Sequence, residues 1–233
     1  MKKNFMFANI PLIIAILIGD IFYITSDAFW VKCVTSAGFF LLGALNLACI
    51  ILSKAPEKKF GIIMLIGLFF AMLGDIILEI EFIIGALLFA VGHVFYFIAY
   101  CTLSKITWFD LIPAACIFVP SLLLLTIGPW FNFGGILMQI VCIIYALIIS
   151  CMVGKSIMNF IKTKSLLSLI IMVGSILFFI SDFVLVFNVF SNVSASFSFM
   201  CLATYYPAEC FLAFSLLLTD KSAPLCKKET TEN

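Results

Sequence analysis

Four ionisable side chains lie inside long apolar stretches of this sequence: Asp75, His93, Asp182 and Glu209. An ionisable group at membrane depth is costly to insert, so it usually faces the protein interior and serves a function. Two carboxyl groups beside a histidine suit acid and base chemistry, because one group can donate a proton while an ionised neighbour stabilises positive charge. These residues therefore predict a site that keeps carboxyl groups out of bulk water.

The composition indicates which elements must position these groups. Of the 233 residues, 65% are hydrophobic and 11% are charged, unlike a soluble domain. We therefore predict an all-α, polytopic membrane protein, with one transmembrane domain over residues 1–220 and a short cytoplasmic tail over 221–233. Apolar runs of about 20 residues predict eight transmembrane helices, at 5–24, 31–52, 60–80, 82–103, 109–127, 133–154, 166–190 and 197–219.

The lysines orient the predicted helices. Eight spans place both termini on one side, and all but one of the 13 lysines fall on that side. The positive-inside rule makes this side, with both termini, cytoplasmic. Lys32 is the exception, at the outer start of the second helix. We expect an integral, multi-pass protein of a bacterial cell membrane or a eukaryotic internal membrane.

The four ionisable groups are predicted to lie in the same half of the membrane. They fall roughly 8 to 18 Å below the outer ends of their helices, at about 1.5 Å per residue. Helical periodicity adds polar and aromatic neighbours on the same faces, and Pro207 predicts a kink in the last helix. We expect a polar, aromatic-walled cavity. Its further members are Phe89, Tyr96 and Tyr100 beside His93, Ser175 and Ser181 beside Asp182, and Tyr205 and Tyr206 beside Glu209.

A purely structural interpretation is open for part of this set. Asp75 and Lys32 both lie near the outer side, so they can form an ion pair that holds two helices together. Glu79 and Glu81 are interpreted as a solvated turn between the third and fourth helices. The convergence of two aspartates, a histidine and a glutamate on one membrane half favours a functional site over structural roles alone.

Four short motifs, in order along the chain, resemble the YhhN family of eight-span membrane proteins. They are LGDIIL (73–78), GHVFYFIAY (92–100), GSILFFISDFVL (174–185) and TYYPAECF (204–211), and VKCVT (31–35) resembles the family's start of the second helix. The chain departs from the family pattern at Glu209, where a glutamine is usual, and at Cys33, where a proline is usual. The resemblance covers nearly the whole chain.

The resemblance implies a specific activity, because the characterised members of this family are lysoplasmalogenases. They hydrolyse the vinyl ether of a lysoplasmalogen to a fatty aldehyde and a glycerophospho-alcohol. Asp75 and Asp182 would then be the acid and base pair, with either one as the acid, and His93 would activate water or tune a carboxylate. The implied substrate-binding residues are Tyr96, Tyr205, Tyr206, Ser181 and Glu209, with Lys32 as a candidate for the phosphate.

Other interpretations of the same residues stay open. One histidine with two aspartates and a glutamate can ligate Zn²⁺, although there is no HExxH motif, and we expect no cofactor. Intramembrane carboxyl groups also build proton relays, so a proton-coupled transporter or a lipid-binding protein of the same fold is the alternative function. The expected partners are a lysophospholipid substrate and membrane lipids. The chain has no arginine, which argues against nucleic-acid binding.

Overall fold

The computed structural model describes residues 2–52, 58–128, 130–191 and 196–218. Within these residues, eight helices are long and apolar enough to cross a membrane, which confirms the all-α, eight-span prediction. Short 3₁₀ helices precede α5 (Trp108–Asp110) and follow α8 (Leu216–Leu218). The long helices are α1 (Lys2–Ser26), α2 (Phe29–Leu52), α3 (Lys58–Leu78), α4 (Phe82–Leu103), α5 (Leu111–Ile127), α6 (Ile136–Thr163), α7 (Leu166–Phe190) and α8 (Ser196–Ser215).

The outward faces of these helices explain why the chain needs a membrane. Large apolar side chains such as Ile18, Trp30, Leu52 and Leu123 are exposed on them. A bilayer solvates such side chains, and a helix satisfies its own backbone hydrogen bonds where the bilayer offers none. The chain is therefore an integral, multi-pass membrane protein.

The sixth helix is longer than predicted. The predicted span covers residues 133–154, whereas α6 begins at Ile136 and continues through Lys155 to Thr163. Lys155 stays inside the helix because its side chain is buried against a carboxylate on the 3₁₀ helix before α5. The other boundaries agree to within a few residues. The predicted tail, 221–233, lies outside the described residues, and the orientation of the termini stays a prediction.

The core of the bundle is organised around α8, which packs against α1, α2, α3 and α7. Its tyrosines and alanines join a core that runs through the bundle, with Phe39 of α2, Leu68 of α3 and Phe178 of α7 fully buried. Pro207 lies inside α8, as the sequence predicted. Since α1, α3 and α7 end where α2, α4 and α8 begin, one end of the bundle collects residues from six helices.

Helices α3 and α4 come into close contact at a pair of glycines. A Cβ atom on Gly67 would lie 3.3 Å from the carbonyl oxygen of Gly92, and 2.5 Å from the ring of Tyr96. Small residues allow such backbone contact between membrane helices. Glycine at position 67 therefore leaves the space that Tyr96 occupies, one turn from His93.

A cluster of charges fixes the opposite end of the bundle. The Asp110 carboxylate accepts hydrogen bonds from the Nζ atoms of Lys155 and Lys162 at 3.1 and 2.8 Å, and from the backbone N–H of Thr107 at 2.7 Å. The side chain of Lys155 is only 1% exposed. Asp110 thus joins the start of α5 to the last turns of α6.

This cluster generates a stability prediction. The Asp110→Ala substitution should lower the free energy of unfolding by about 3 kcal/mol or more, because it leaves the buried Lys155 ammonium without a counter-ion. Adding Lys155→Met should restore part of the loss, since methionine removes the unpaired charge. Thermal unfolding midpoints in detergent measure both effects. A double variant no more stable than Asp110→Ala would show that the loss arises elsewhere.

Candidate functional site

A polar cavity of about 560 Å³ opens at the end of the bundle where the six helices meet. Asp75 of α3 and Asp182 of α7 both line it, so the structure brings the two aspartates from the sequence analysis onto the walls of one cavity. Polar side chains from α1, α2 and α8 complete the lining. The polar lining residues are Tyr23, Asp27, Lys32, Asp75, Glu79, Ser181, Asp182, Asn188 and Tyr205.

Asp75 is held by donors from three directions. Its Oδ2 atom accepts hydrogen bonds from the hydroxyl groups of Ser36 and Tyr206, the latter at 2.9 Å. Its Oδ1 atom lies 3.3 Å from the Lys32 ammonium. An ionised carboxylate is an acceptor on both oxygens, so this environment is built for the anion. The Lys32–Asp75 ion pair of the structural interpretation is thus present, on the wall of the cavity.

Lys32 also binds Glu79, which the sequence analysis had placed in a solvated turn. The Lys32 Nζ atom lies 2.6 Å from Glu79 Oε1, and the Tyr23 hydroxyl donates to the same oxygen at 2.7 Å. Glu79 does lie in the turn after α3, with its side chain 41% exposed, but the buried ammonium at the start of α2 holds it in an ion pair. Glu81 is exposed.

The Glu79 carboxyl lies just beyond the end of α3, and its pKa is lowered. Its partial burial raises the pKa, but the hydrogen bonds from Lys32 and Tyr23 outweigh that effect and hold the pKa below its ordinary value of 4.5. Glu79 therefore adds a second anion to the side of the cavity on which Asp75 lies.

Asp182 sits in a different environment. Its Oδ2 atom accepts a hydrogen bond from the Tyr145 hydroxyl at 2.6 Å and lies 3.2 Å from His93 Nε2. The His93 Nε2 atom is also 2.8 Å from the Tyr145 hydroxyl, so the three groups form a closed triangle. The imidazole packs edge-on against the ring of Phe178. The geometry of this triangle allows an imidazole and a carboxyl group to exchange one proton across it.

Behind the cavity, Glu209 and Tyr96 form a fully buried pair. The Tyr96 hydroxyl donates to Glu209 Oε2 at 2.9 Å, and Glu209 Oε1 has no hydrogen-bond partner among the described residues. Ser175 bonds to the Tyr100 hydroxyl at 2.9 Å, and no contact joins it to Asp182. None of these four side chains lines the polar cavity.

The residues predicted for the site thus separate into two layers. Those lining the cavity are Lys32, Asp75, Ser181, Asp182 and Tyr205. The Ser181 hydroxyl donates a hydrogen bond to the backbone carbonyl oxygen of Cys201, at 2.9 Å. Those behind the lining residues are His93, Tyr96, Tyr206 and Glu209.

Sequence reasoning missed several residues that line or support the cavity, among them Tyr145, Ser36 and Tyr23. Tyr145 interrupts the apolar run of α6, and that isolated hydroxyl was the available signal. Ser36 lies one turn after Lys32 on α2, hence on the same face. Tyr23 lies at the end of α1, where no periodic pattern marked it. Contact between α6 and α7 makes Tyr145 a partner of Asp182, and no spacing in the sequence encodes that contact.

The ionisable groups do not assemble as a metal centre within the described part of the chain. No three histidine, cysteine, aspartate or glutamate side chains there come close enough together to hold a metal ion. His93 and Asp182 meet as a pair, whereas Asp75 and Glu209 have separate partners.

Comparison with known proteins identifies a family. The model of the YhhN family matches residues 31–216, from the second membrane helix to the end of the last one. No curated protein and no solved structure matches the chain.

The Glu79 carboxyl generates a pH prediction. Its lowered pKa means that its stabilising effect is complete above pH 4.5, the ordinary value, and is lost as the pH falls through the lower pKa of the folded state. Glu79→Gln should therefore lower the thermal unfolding midpoint at neutral pH, and the gap to the parent should narrow below pH 4.5. Glu81→Gln, in the exposed turn, is the matched control. A gap that persists unchanged into acid would contradict the assigned cause.

Proposed function

The chain belongs to the YhhN family, and we propose that it is an integral-membrane hydrolase that cleaves the vinyl ether bond of lysoplasmalogens. The observation that carries this proposal is the placement of Asp75 and Asp182, in unlike environments, on one cavity wall. Vinyl ether hydrolysis needs a proton donor and an anion near the resulting cation. Glycosidases meet a similar demand with two carboxyl groups.

The reaction adds one water molecule across the ether. A proton is transferred to the alkenyl carbon that is not bonded to oxygen, and the adjacent carbon becomes an oxocarbenium ion. Water attacks this carbon and loses a proton, giving a hemiacetal. The hemiacetal collapses to a fatty aldehyde and the glycerophospho-alcohol as its hydroxyl proton passes to the ether oxygen. No oxidant or reductant is needed.

Asp182 is the better placed acid. It faces the cavity, and His93 and Tyr145 lie behind it within hydrogen-bond distance. In the proposed reaction Asp182 delivers the proton to carbon, and the pair with His93 then accepts the proton of the attacking water. The imidazole of His93 returns a proton to the Asp182 carboxyl group, so His93 acts through Asp182 and does not touch the substrate.

Asp75 is the better placed anion. Its two hydroxyl donors and the adjacent Lys32 ammonium favour a fixed carboxylate, which would stabilise the oxocarbenium ion through its charge. Lys32 already faces two carboxylates, Asp75 and Glu79, so its main role in this proposal is to orient Asp75. A contact between Lys32 and the substrate phosphate stays a prediction from the family resemblance.

The first test is aldehyde release by the purified protein in detergent. The parent protein should release a fatty aldehyde from a lysoplasmalogen and leave the saturated ether analogue intact. Asp182→Asn and Asp75→Asn should each lower kcat by about 100-fold or more, because each removes a group from the transition state. Glu81→Gln, an exposed control, should keep parental activity. Full activity in a folded aspartate variant would remove that residue from the mechanism.

A second test follows the proton. In deuterated water, transfer to carbon should place one deuterium on the aldehyde carbon next to the carbonyl, and mass spectrometry of the product, trapped as it forms, measures it. Unlabelled aldehyde kept in deuterated water for the same time corrects for exchange through the enol. The unreacted substrate should stay unlabelled, because the transfer commits the molecule to hydrolysis. An aldehyde without that deuterium would exclude carbon protonation as the first step.

A further inference from the structure

A second, apolar cavity lies beside the polar one. It is much smaller, with a volume of about 70 Å³, and nearly all of its wall is hydrocarbon. Five helices, α3 to α7, and the loop after α5 form it. The large apolar side chains around it are Phe82 and Phe89 of α4, Leu124 and Leu125 of α5, Phe131 of the loop, Val141 and Ile149 of α6, and Phe179, Phe183 and Phe187 of α7.

The two cavities share a wall, and Asp182 stands in it. The residues that line both are Leu78, Phe89, Asp182 and Leu185. On one side of this wall lie Lys32, Asp75 and Glu79. On the other side the Asp182 carboxyl, with Tyr145 beside it, is an isolated polar point among aromatic and aliphatic side chains.

We infer that the apolar cavity receives the first carbons of the hydrocarbon chain of the lipid substrate, next to the vinyl ether, and that the polar cavity holds its glycerophospho head. This inference rests on the proposed function and specifies how the substrate lies. A lysolipid has one polar end and one unbranched chain, and here a large polar cavity shares a wall with a small apolar one. The vinyl ether, the junction between head and chain, then lies at the shared wall against Asp182.

The packing of α5 gives this chain a route from the membrane. Helix α5 packs chiefly on α6, and one face of it borders the apolar cavity through Ser121, Leu124 and Leu125. Its other side chains, such as Val119 and Leu123, are exposed to the surroundings. In this inference a chain lying among the bilayer lipids enters the apolar cavity between α4 and α5, because α5 packs on α6 and scarcely contacts α4.

The binding experiment uses a saturated alkyl lysophospholipid with a photoreactive diazirine in the chain, a few carbons from the ether oxygen. This probe has no vinyl ether bond that the protein could cleave, so labelling is independent of turnover. Mass spectrometry should locate the label on residues 121–125 of α5 and 141–149 of α6, and excess unlabelled alkyl lysophospholipid should suppress it. Labelling spread over the membrane-facing surface, without competition, would overturn the inference.

A matched pair of variants tests the same cavity by kinetics. Ala146 of α6 lines the apolar cavity, and Ala115 of α5 faces the surroundings. Ala146→Phe should reduce the ratio of kcat/KM for a long-chain over a short-chain vinyl ether by about tenfold or more, and it should abolish the competed label. Ala115→Phe should change neither. An unchanged ratio in a folded Ala146→Phe protein would overturn the inference.

The two readouts separate this inference from the proposed function. Competed labelling of the cavity by a protein that releases no aldehyde would support chain binding there and remove the hydrolase. Aldehyde release with labelling only on the outer surface would keep the hydrolase and overturn the chain site.

Discussion

The ion pair between Lys32 and Asp75 is the interaction on which the polar cavity depends. A buried ammonium group without a counter-ion is strongly destabilising, so α2 and α3 must stay in contact at this point. The same carboxylate accepts the hydroxyl groups of Ser36 and Tyr206, which ties α8 to the pair. Lys32 also gathers Glu79, and through it Tyr23 of α1. One cation thus positions the wall of the site from four helices.

The two ends of the bundle use buried charge in opposite ways. At the Asp110 end, one carboxylate is shared by two lysines, Lys155 and Lys162. At the cavity, one lysine is shared by two carboxylates, which leaves an excess of negative charge facing the open space. The first arrangement joins helices. The pairing of Lys32 with Asp75 and Glu79 also joins helices, but its excess negative charge favours a cation in the cavity, as the proposed oxocarbenium intermediate requires.

The two aspartates differ because their neighbours differ. Asp75 has an ammonium and two hydroxyl donors, a fixed environment that suits a permanent anion. Asp182 has an imidazole and a phenol, groups that can pass a proton. The close approach of α3 and α4 at Gly67 and Gly92 sets the position of the helix that carries His93. The division of labour proposed for these two chemically identical side chains therefore rests on packing.

The sequence by itself determined the membrane architecture and the inventory of buried charges. Long apolar runs must be helices in a bilayer, so eight spans followed from composition, and the rarity of charge inside them made Asp75, His93, Asp182 and Glu209 conspicuous. The length of α6 was misjudged, since a carboxylate elsewhere in the bundle keeps Lys155 buried inside the helix.

Only the tertiary structure decided which of these groups meet. Glu209 was grouped with the aspartates by depth, yet it pairs with Tyr96 behind the cavity, and Tyr145 joined Asp182 without any motif. The lateral order and rotation of helices arise from contacts between residues far apart in the chain, such as the 89 positions that separate His93 from Asp182. Helical periodicity fixes which residues share a face of one helix, but it carries no information about the face that another helix presents to them.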